Sequence, residues 1–304
     1  MLLGRLAPRP DGRMQPPDPG SDGVAHREAH DLTARSPAGR ARPTVMIVSP
    51  TTPVHRKSWP GAPGGFFAAE AAGLRWLAEA EPAGGASVVA VHDVATDHID
   101  VERVEPGRPT PEAAEALGHA LARTHAAGAE SFGAPPPGWS GDAWIGRQRQ
   151  SNDPTPTWGL FFAEQRVRPF VRRAVDVGHL DGDGARVVDE VCDRLASGAF
   201  DDDRPPARIH GDLWSGNLLF SVDGAVLIDP AAHGGHGLTD LAMLALFGCP
   251  GLDRVEDAYA ETARLDRRWR TLIGLHQLHP LATHAASHGP AYAAELLATA
   301  RRYR

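Results

Sequence analysis

The 304-residue sequence predicts an α+β protein of two unequal lobes, a small amino-terminal lobe built on a sheet and a larger helical carboxy-terminal lobe. Three observations carry the prediction. Short apolar runs of strand length, rich in β-branched residues, occur before residue 105, at Thr44–Val48, Ser87–Val91 and Ile99–Val104. Beyond Pro111 the apolar residues recur at helical spacing, beginning with Ala113, Leu117, Leu121 and His125. The helical pattern is interrupted by IHGDLWSGNLLFSVDGAVLIDP (Ile209 to Pro230), where the runs Leu218–Phe220 and Ala225–Ile228 flank Asp223-Gly224, a strong hairpin signal.

Length and composition set the bounds. A chain of this size can bury one large core or two smaller ones. The reading divides it into an atypical segment 1–43, a sheet lobe 44–104 and a helical lobe 105–304. The net charge of −7 argues against a nucleic-acid groove. No apolar run reaches the length of a bilayer span, and Met1-Leu2-Leu3 is too short for a signal-peptide core, so no membrane partner is expected. Cys192 and Cys249 stand far apart in apolar helical contexts and read as reduced core residues of a cytoplasmic protein. Of the 31 basic residues only Lys57 is a lysine. A composition otherwise converted to arginine has kept one compact ammonium, which a guanidinium does not replace where a point charge must reach phosphates.

Taken in order, residues 1–43 are rich in Pro, Gly, Arg and Asp, lack apolar periodicity and read as poorly ordered. Gly20-Ser21-Asp22-Gly23 is a weak candidate for a glycine loop over phosphates. Thr44–Val48 is the first strand, broken by Pro50 and Pro53. Lys57 follows, then a Pro/Gly loop from Trp59 to Gly65 and a helix from Phe66 to Ala80 with Glu70 in its first half. The strand at Ile99–Val104 runs into the breaker-rich Glu105-Pro106-Gly107-Arg108-Pro109, and an adenine ring is expected against the backbone of Glu102 to Val104. Helices are expected over Glu112–Gly128, over Trp158–Ala174 with Pro169 kinking or dividing it, and over Asp183–Leu195. Trp144–Gly146 and Gln150–Asn152 are placed in a loop, and Ala231–Gly237 in a flexible, ligand-facing loop. Thr239 is expected to cap a helix from Asp240 to Phe247. Asp257–Ala263, Arg268–His284 (interrupted at Pro280) and Ala291–Arg304 complete the helical lobe.

The hairpin carries the chemistry. Asn217 stands where it begins and Asp229 where it ends, so antiparallel pairing sets their oxygens side by side, with Asp212 on the loop just before. One cleft thus receives a carboxylate able to accept a proton and a carboxamide–carboxylate pair able to hold a hard cation such as Mg²⁺. A kinase catalytic loop has this layout, and Lys57 with Glu70 matches its phosphate-binding lysine and helix glutamate. The bland alternatives are a turn-capping Asp212, a surface Lys57 and a solvated Glu70. His276 and His279 share a helix face and could bind a transition metal, but packed histidines are the preferred reading. A serine-hydrolase elbow, G-x-S-x-G, is absent from the sequence.

HGDLWSGN, LIDPA, the GH of the following loop and DLAMLALFG, with KSWPGAPGGFFAAEAAGLRWL, EPGRP, WIGRQRQSN and FFAEQRVRP, resemble the fructosamine (ketosamine) kinase family over roughly Lys57 to Arg304. The resemblance implies a two-lobed protein-kinase-like fold related to aminoglycoside phosphotransferases. It implies phosphorylation, with ATP and Mg²⁺, of the sugar 3-hydroxyl of a free or protein-bound ketosamine, a step in deglycation repair. It assigns Asp212 as the base, Asn217 and Asp229 as metal ligands, and Lys57 with Glu70 to the nucleotide phosphates. Trp214 and His236 are taken as substrate residues, and His210 and Asp240 as structural support. His284 matches a family-like position without an assigned role. The amino end departs from the family pattern, since residues 1–50 match its glycine hairpin poorly, Gly20 to Asp31 is a faint candidate, and TTPVHR before Lys57 is less apolar than a buried strand. Two other readings stand beside this one: a kinase of the same fold acting on an aminoglycoside or amino alcohol, and a non-catalytic binder with a defective nucleotide lobe. The second has no need of Lys57, Asp212, Asn217 and Asp229 together.

Overall fold

The computed structural model describes residues 53–304. The expected strand Thr44–Val48, the candidate glycine loop within Gly20–Asp31 and the segment 1–43 lie outside the described residues.

Lys57 sits within a strand rather than after one. β1 (Val54–Ser58) pairs antiparallel with β4 (His98–Glu102), Lys57 opposite Ile99, and β3 (Val91–Val94) pairs with the other edge of β4. The polar composition of β1 hid it from the sequence, because one face of an antiparallel strand can face water. α1 (Phe66–Ala78) packs Phe67, Leu74 and Leu77 inward.

The apolar stretch Ser87–Val91, read as one strand, divides between two sheets. β2 (Ser87–Val88) runs parallel to β9 (Gly224–Leu227) of the catalytic hairpin, and the Val89 amide donates to Leu227 O at 3.1 Å. One residue later Ala90 O accepts from the Glu102 amide at 2.8 Å, in the small-lobe sheet. A period-two pattern cannot show such a change of partner. The first apolar cluster accordingly crosses residue 104, joining Phe67, Leu77 and Ile99 to Leu117, Leu213 and Leu227.

The linker after β4 lies on the hairpin. Gly107 N donates to Phe220 O at 2.6 Å, and a Cβ there would stand 2.6 Å from the carbonyl carbon of Ser221. Only glycine allows this approach without a shift. α2 (Pro111–Ala126) then begins with Pro111 in its first turn and Thr110 as cap, whose hydroxyl accepts from Ala113 N at 3.1 Å.

The expected loop around Trp144–Asn152 contains a small hairpin, β5 (Ala143–Ile145) with β6 (Gln148–Gln150). It spans the lobes: Trp144 meets Phe66 at a ring distance of 5.6 Å, and the Arg147 guanidinium lies 4.9 Å over Trp59. α3 (Trp158–Phe161) and α4 (Arg168–Asp176) are joined by a π-helical turn over Phe162–Val167. Pro169 accounts for part of this. It has no N–H for the carbonyl four residues back, and that carbonyl, Gln165 O, accepts instead from Arg166 Nη1 at 3.2 Å.

α5 (Gly182–Ala196), capped by Asp181, leads to β7 (Ala207–Ile209) and the catalytic stretch. β8 (Leu218–Ser221) pairs with β9, Leu218 opposite Leu227, turning at Val222-Asp223. The expected flexible loop Ala231–Gly237 is instead buried throughout, with β10 (His233–Gly235) paired to β7. A Cβ on Gly234 would lie 2.0 Å from Ser131 O, a close approach that a mobile loop would not make. α6 (Leu238–Phe247) has Gly237 at its cap position, so Thr239 lies within the helix, its hydroxyl bonded to His276 Nδ1 at 3.0 Å. α7 (Leu252–Thr262), α8 (Trp269–His276), α9 (Leu278–His288) and α10 (Pro290–Ala300) complete the lobe around a second apolar cluster containing Phe161, Phe170, Leu195, Leu281 and Leu296. No described helix is long and apolar enough to cross a membrane.

Candidate active site

The loop from β7 to β8 places the central residues. Asp240, fully buried on α6, accepts from the amides of His210 (Oδ2, 2.8 Å) and Gly211 (Oδ1, 2.9 Å). His125 Nε2 lies 3.0 Å from Asp240 Oδ2, and His125 Nδ1 lies 2.7 Å from the Tyr259 hydroxyl. Burial alone would raise the Asp240 carboxyl; the hydrogen bond from His125, its proximity and the Gly211 amide outweigh it and hold the pKa below the ordinary value. His210 donates from Nε2 to Ile228 O at 2.8 Å and accepts from the Asp212 amide at Nδ1, 3.3 Å, which sets its tautomer. Burial lowers its pKa and keeps it neutral. His210 thus ties the loop to the far end of the hairpin. His125 and Tyr259 were not found from sequence as site residues, since periodicity assigned His125 to the core and nothing marked Tyr259.

Asp212 and Asn217 are held together. Asn217 Nδ2 donates to Asp212 O at 2.8 Å, to Asp212 Oδ2 at 3.3 Å and to Asp229 O at 3.3 Å. Its main chain accepts from Ile228 N at 3.1 Å, which sets it beside Asp229. Asp229 has φ of +54°, a region that non-glycine residues rarely enter. In this conformation its carboxylate reaches Lys57, with Oδ2 at 3.1 Å from Nζ, while Glu70 Oε2 lies at 2.9 Å. One ammonium therefore bridges the small-lobe helix and the catalytic hairpin.

Burial alone would lower the Lys57 pKa, but Asp229 and Glu70 outweigh it and hold it above its ordinary range. Burial, opposed by Lys57 and reinforced by Asp229, pushes Glu70 up from 4.5 to about 7. The two directions pull against each other, since a charged Lys57 favours an ionised Glu70. Two carboxylates act on the one ammonium; Glu70 is the more buried of them, and its Oε1 has no hydrogen-bond partner among the described residues. A carboxyl raised on folding contributes stability that is present below its unfolded value and lost as pH rises through its folded value. The Glu70 contribution is therefore expected to fall between about pH 4.5 and 7, against the opposite contribution of the buried His210, His233, His276 and His279, and Glu70→Gln to make the net slope of stability against pH more positive there in denaturant unfolding at stepped pH. An unchanged slope in the variant would show that Glu70 does not titrate there.

The donor set suits a hard cation. Asn217 spends its amide nitrogen on the loop, which leaves Oδ1 as its ligand atom, and the Asp229 side chain is 40 % exposed. Magnesium ordinarily takes one or two protein oxygens and completes its shell with water and phosphate, so this pair fits it. ATP phosphates fit beside Lys57 on the same grounds of charge. Among the expected adenine-contacting residues, the Glu102 amide is engaged with Ala90 O, so Val104, beyond the ladder, has the more available main chain.

Trp214 is half-buried beside Asp212, edge-on to Phe247 at 6.5 Å. Gly216 makes its seat: a Cβ there would stand 2.2 Å from the indole. His236 stands apart from this group. It is buried between Trp158 (5.3 Å) and His276 (4.7 Å), with Nε2 at 3.2 Å from Asp202 Oδ1. The ring so enclosed packs among Trp158, His276 and Asp202. His276 stacks on Trp158 at 4.4 Å and His279 is buried on α9, so both are packed histidines. His284 lies against Phe247 at 4.9 Å and bonds Pro280 O at 2.7 Å.

Comparison with known proteins adds independent information. The family model described as fructosamine kinase matches residues 30–302. A probable ketoamine kinase of Thermus thermophilus is 32 % identical over 231 residues, covering 76 % of this chain and 79 % of its own. The crystal structure of a candidate fructosamine-3-kinase from Thermobifida fusca superposes with a TM-score of 0.76 at 51 % identity, covering 82 % of this chain and 85 % of that one. A gentamicin-bound aminoglycoside phosphotransferase shares the fold alone, with a TM-score of 0.51 at 11 % identity over 83 % of this chain and 85 % of that one. A catalytic-loop hairpin bound to a buried lysine–glutamate pair and a family match over most of the chain agree: this protein belongs to the fructosamine kinase family, a phosphotransferase on a two-lobed protein-kinase-like fold.

Proposed function

We propose that the protein phosphorylates the 3-hydroxyl of the sugar in a ketosamine, such as a fructosamine or ribulosamine, free or protein-bound. The observation that carries the reading is the junction of Lys57, Glu70 and Asp229 beside Asp212 and Asn217. The ketosamine acceptor is supported by the family match and by the relatives' names. When bound, ATP with Mg²⁺ supplies the phosphoryl group and neutralises charge on it. Asp212 orients the acceptor hydroxyl and takes its proton. Asn217 Oδ1 and the Asp229 carboxylate hold the cation, and Lys57 offsets phosphate charge. Trp214 offers an apolar ring face to the sugar, and Val104 its main chain to the adenine. Residues 44–104 serve as the nucleotide lobe and 105–304 as the acceptor lobe, in the cytoplasm.

The test is ATP turnover with Mg²⁺ against a panel of glycated amines, aminoglycosides and amino alcohols, with the product located by ³¹P–¹H NMR. Turnover dependent on the ketosamine, with phosphate on the 3-oxygen, is expected. Turnover confined to an aminoglycoside or amino alcohol would overturn the assignment.

A further inference from the structure

A second polar cluster lies between β6, the π-turn and α9, apart from the residues above. Arg166 is its centre. It is 1 % exposed, and among the described residues no carboxylate accepts from it. Its Nη1 donates to Ser151 O (2.7 Å) and Gln165 O (3.2 Å), its Nη2 to Asn152 Oδ1 (2.6 Å), and the guanidinium lies 4.5 Å over Phe161. The exposed Asp153 acts on it only through space.

The other members are placed by the contacts around it. Phe162 and Phe170, four residues either side of Arg166, both meet the His279 ring, at 6.4 and 5.4 Å. Thr283 follows His279 by one turn of α9. Gln148 Nε2 donates to Thr283 O at 3.1 Å, which lays β6 against that turn, and Gln150 lies on the same strand face two residues on. Arg166 Nε, Asn152 Nδ2, both amide atoms of Gln150, Thr283 Oγ1 and His279 Nε2 are all buried without a hydrogen-bond partner among the described residues. Burying that many polar atoms around an uncompensated cation is costly unless something meets them.

We propose that this cluster binds a small inorganic monoanion of chloride size, held by Arg166 Nε–H, the side-chain amides of Gln150 and Asn152 and the Thr283 hydroxyl. The charge comes from Arg166 and the excess of donors from the amides and the hydroxyl. The size follows from enclosure, since each of these atoms is shielded from solvent. His279 suits the site as a neutral ring, because burial and then the Arg166 charge hold its pKa well below the ordinary value. The anion ties β6 to α9 and so braces the hairpin whose Trp144 and Arg147 touch the small lobe.

Halide-free protein is melted in sodium chloride and in sodium gluconate at equal ionic strength, and crystals are soaked in sodium bromide for anomalous diffraction. Chloride is expected to raise the Tm in a saturable way, and a bromide peak is expected within hydrogen-bond distance of Arg166 Nε. Thr283→Val, which loses one neutral hydrogen bond, is expected to bind chloride roughly fivefold more weakly. Water instead of bromide at the cluster, or a Tm indifferent to chloride in the unsubstituted protein, overturns the proposal.

Discussion

Asp212→Ala is expected to lower kcat by roughly 10²–10⁴, the ordinary size of a general-base contribution, with nucleotide affinity nearly unchanged. The affinity should hold because the anchor of Asn217 survives. Its shortest bond runs to the main-chain carbonyl of residue 212, at 2.8 Å, and only the longer contact to Oδ2, at 3.3 Å, is lost. The loop stays pinned through Asp240, which binds the amides of residues 210 and 211. The substitution therefore removes the proposed proton acceptor and leaves the proposed metal-binding pair, Asn217 and Asp229, in place. Single-turnover rates with saturating ketosamine, beside an equilibrium nucleotide titration, check this. A rate equal to the unsubstituted enzyme would remove Asp212 from the chemistry, and lost nucleotide binding would make its role positional.

Lys57→Met is expected to lower kcat/KM for ATP by roughly 10²–10³, the loss typical of one preorganised electrostatic contact. Methionine keeps most of the length and none of the charge, so Glu70 and Asp229 are left facing each other without the ammonium 2.9 and 3.1 Å from them. Burial and Asp229 already push the Glu70 carboxyl upward, and removing the group that opposes them should raise it further. Lys57→Arg should leave most of the defect in place, because a planar fork does not fit between two carboxylates converging on one compact charge. Initial rates across ATP concentrations for both variants provide the measurement. Unsubstituted kcat/KM in the arginine variant would show that charge alone suffices, and that the single lysine among 31 basic residues has no special place.

Legibility in this chain follows sequence distance. Asp212, Asn217 and Asp229 lie within one hairpin, so local turn chemistry and antiparallel pairing already place their oxygens together. Lys57 and Glu70 are 13 residues apart, and composition singled out the lysine. Asp240 was recognised as a brace, but its partners were not: His125 lies 115 residues from it, and Tyr259 lies 134 residues from His125. No pattern in the chain links positions so separated. The loop reading of Ala231–Gly237 went astray for a related reason. A glycine-rich stretch after a catalytic strand reads as a mobile loop, yet its glycines serve close packing, as Gly234 against Ser131 shows.

By itself the sequence determined the α+β class, the hairpin, the helical lobe and the residue types able to move a phosphoryl group, because each depends on local propensity or on spacing within one element. Only the tertiary structure decided that Ser87–Val91 serves two sheets, that Asp229 takes a positive φ to reach Lys57, that His236 packs against Trp158, and that Arg166 is buried among unpaired amides. These depend on which surfaces meet across the fold, and the free energy of such contacts comes from burial and desolvation, which no single stretch of chain contains.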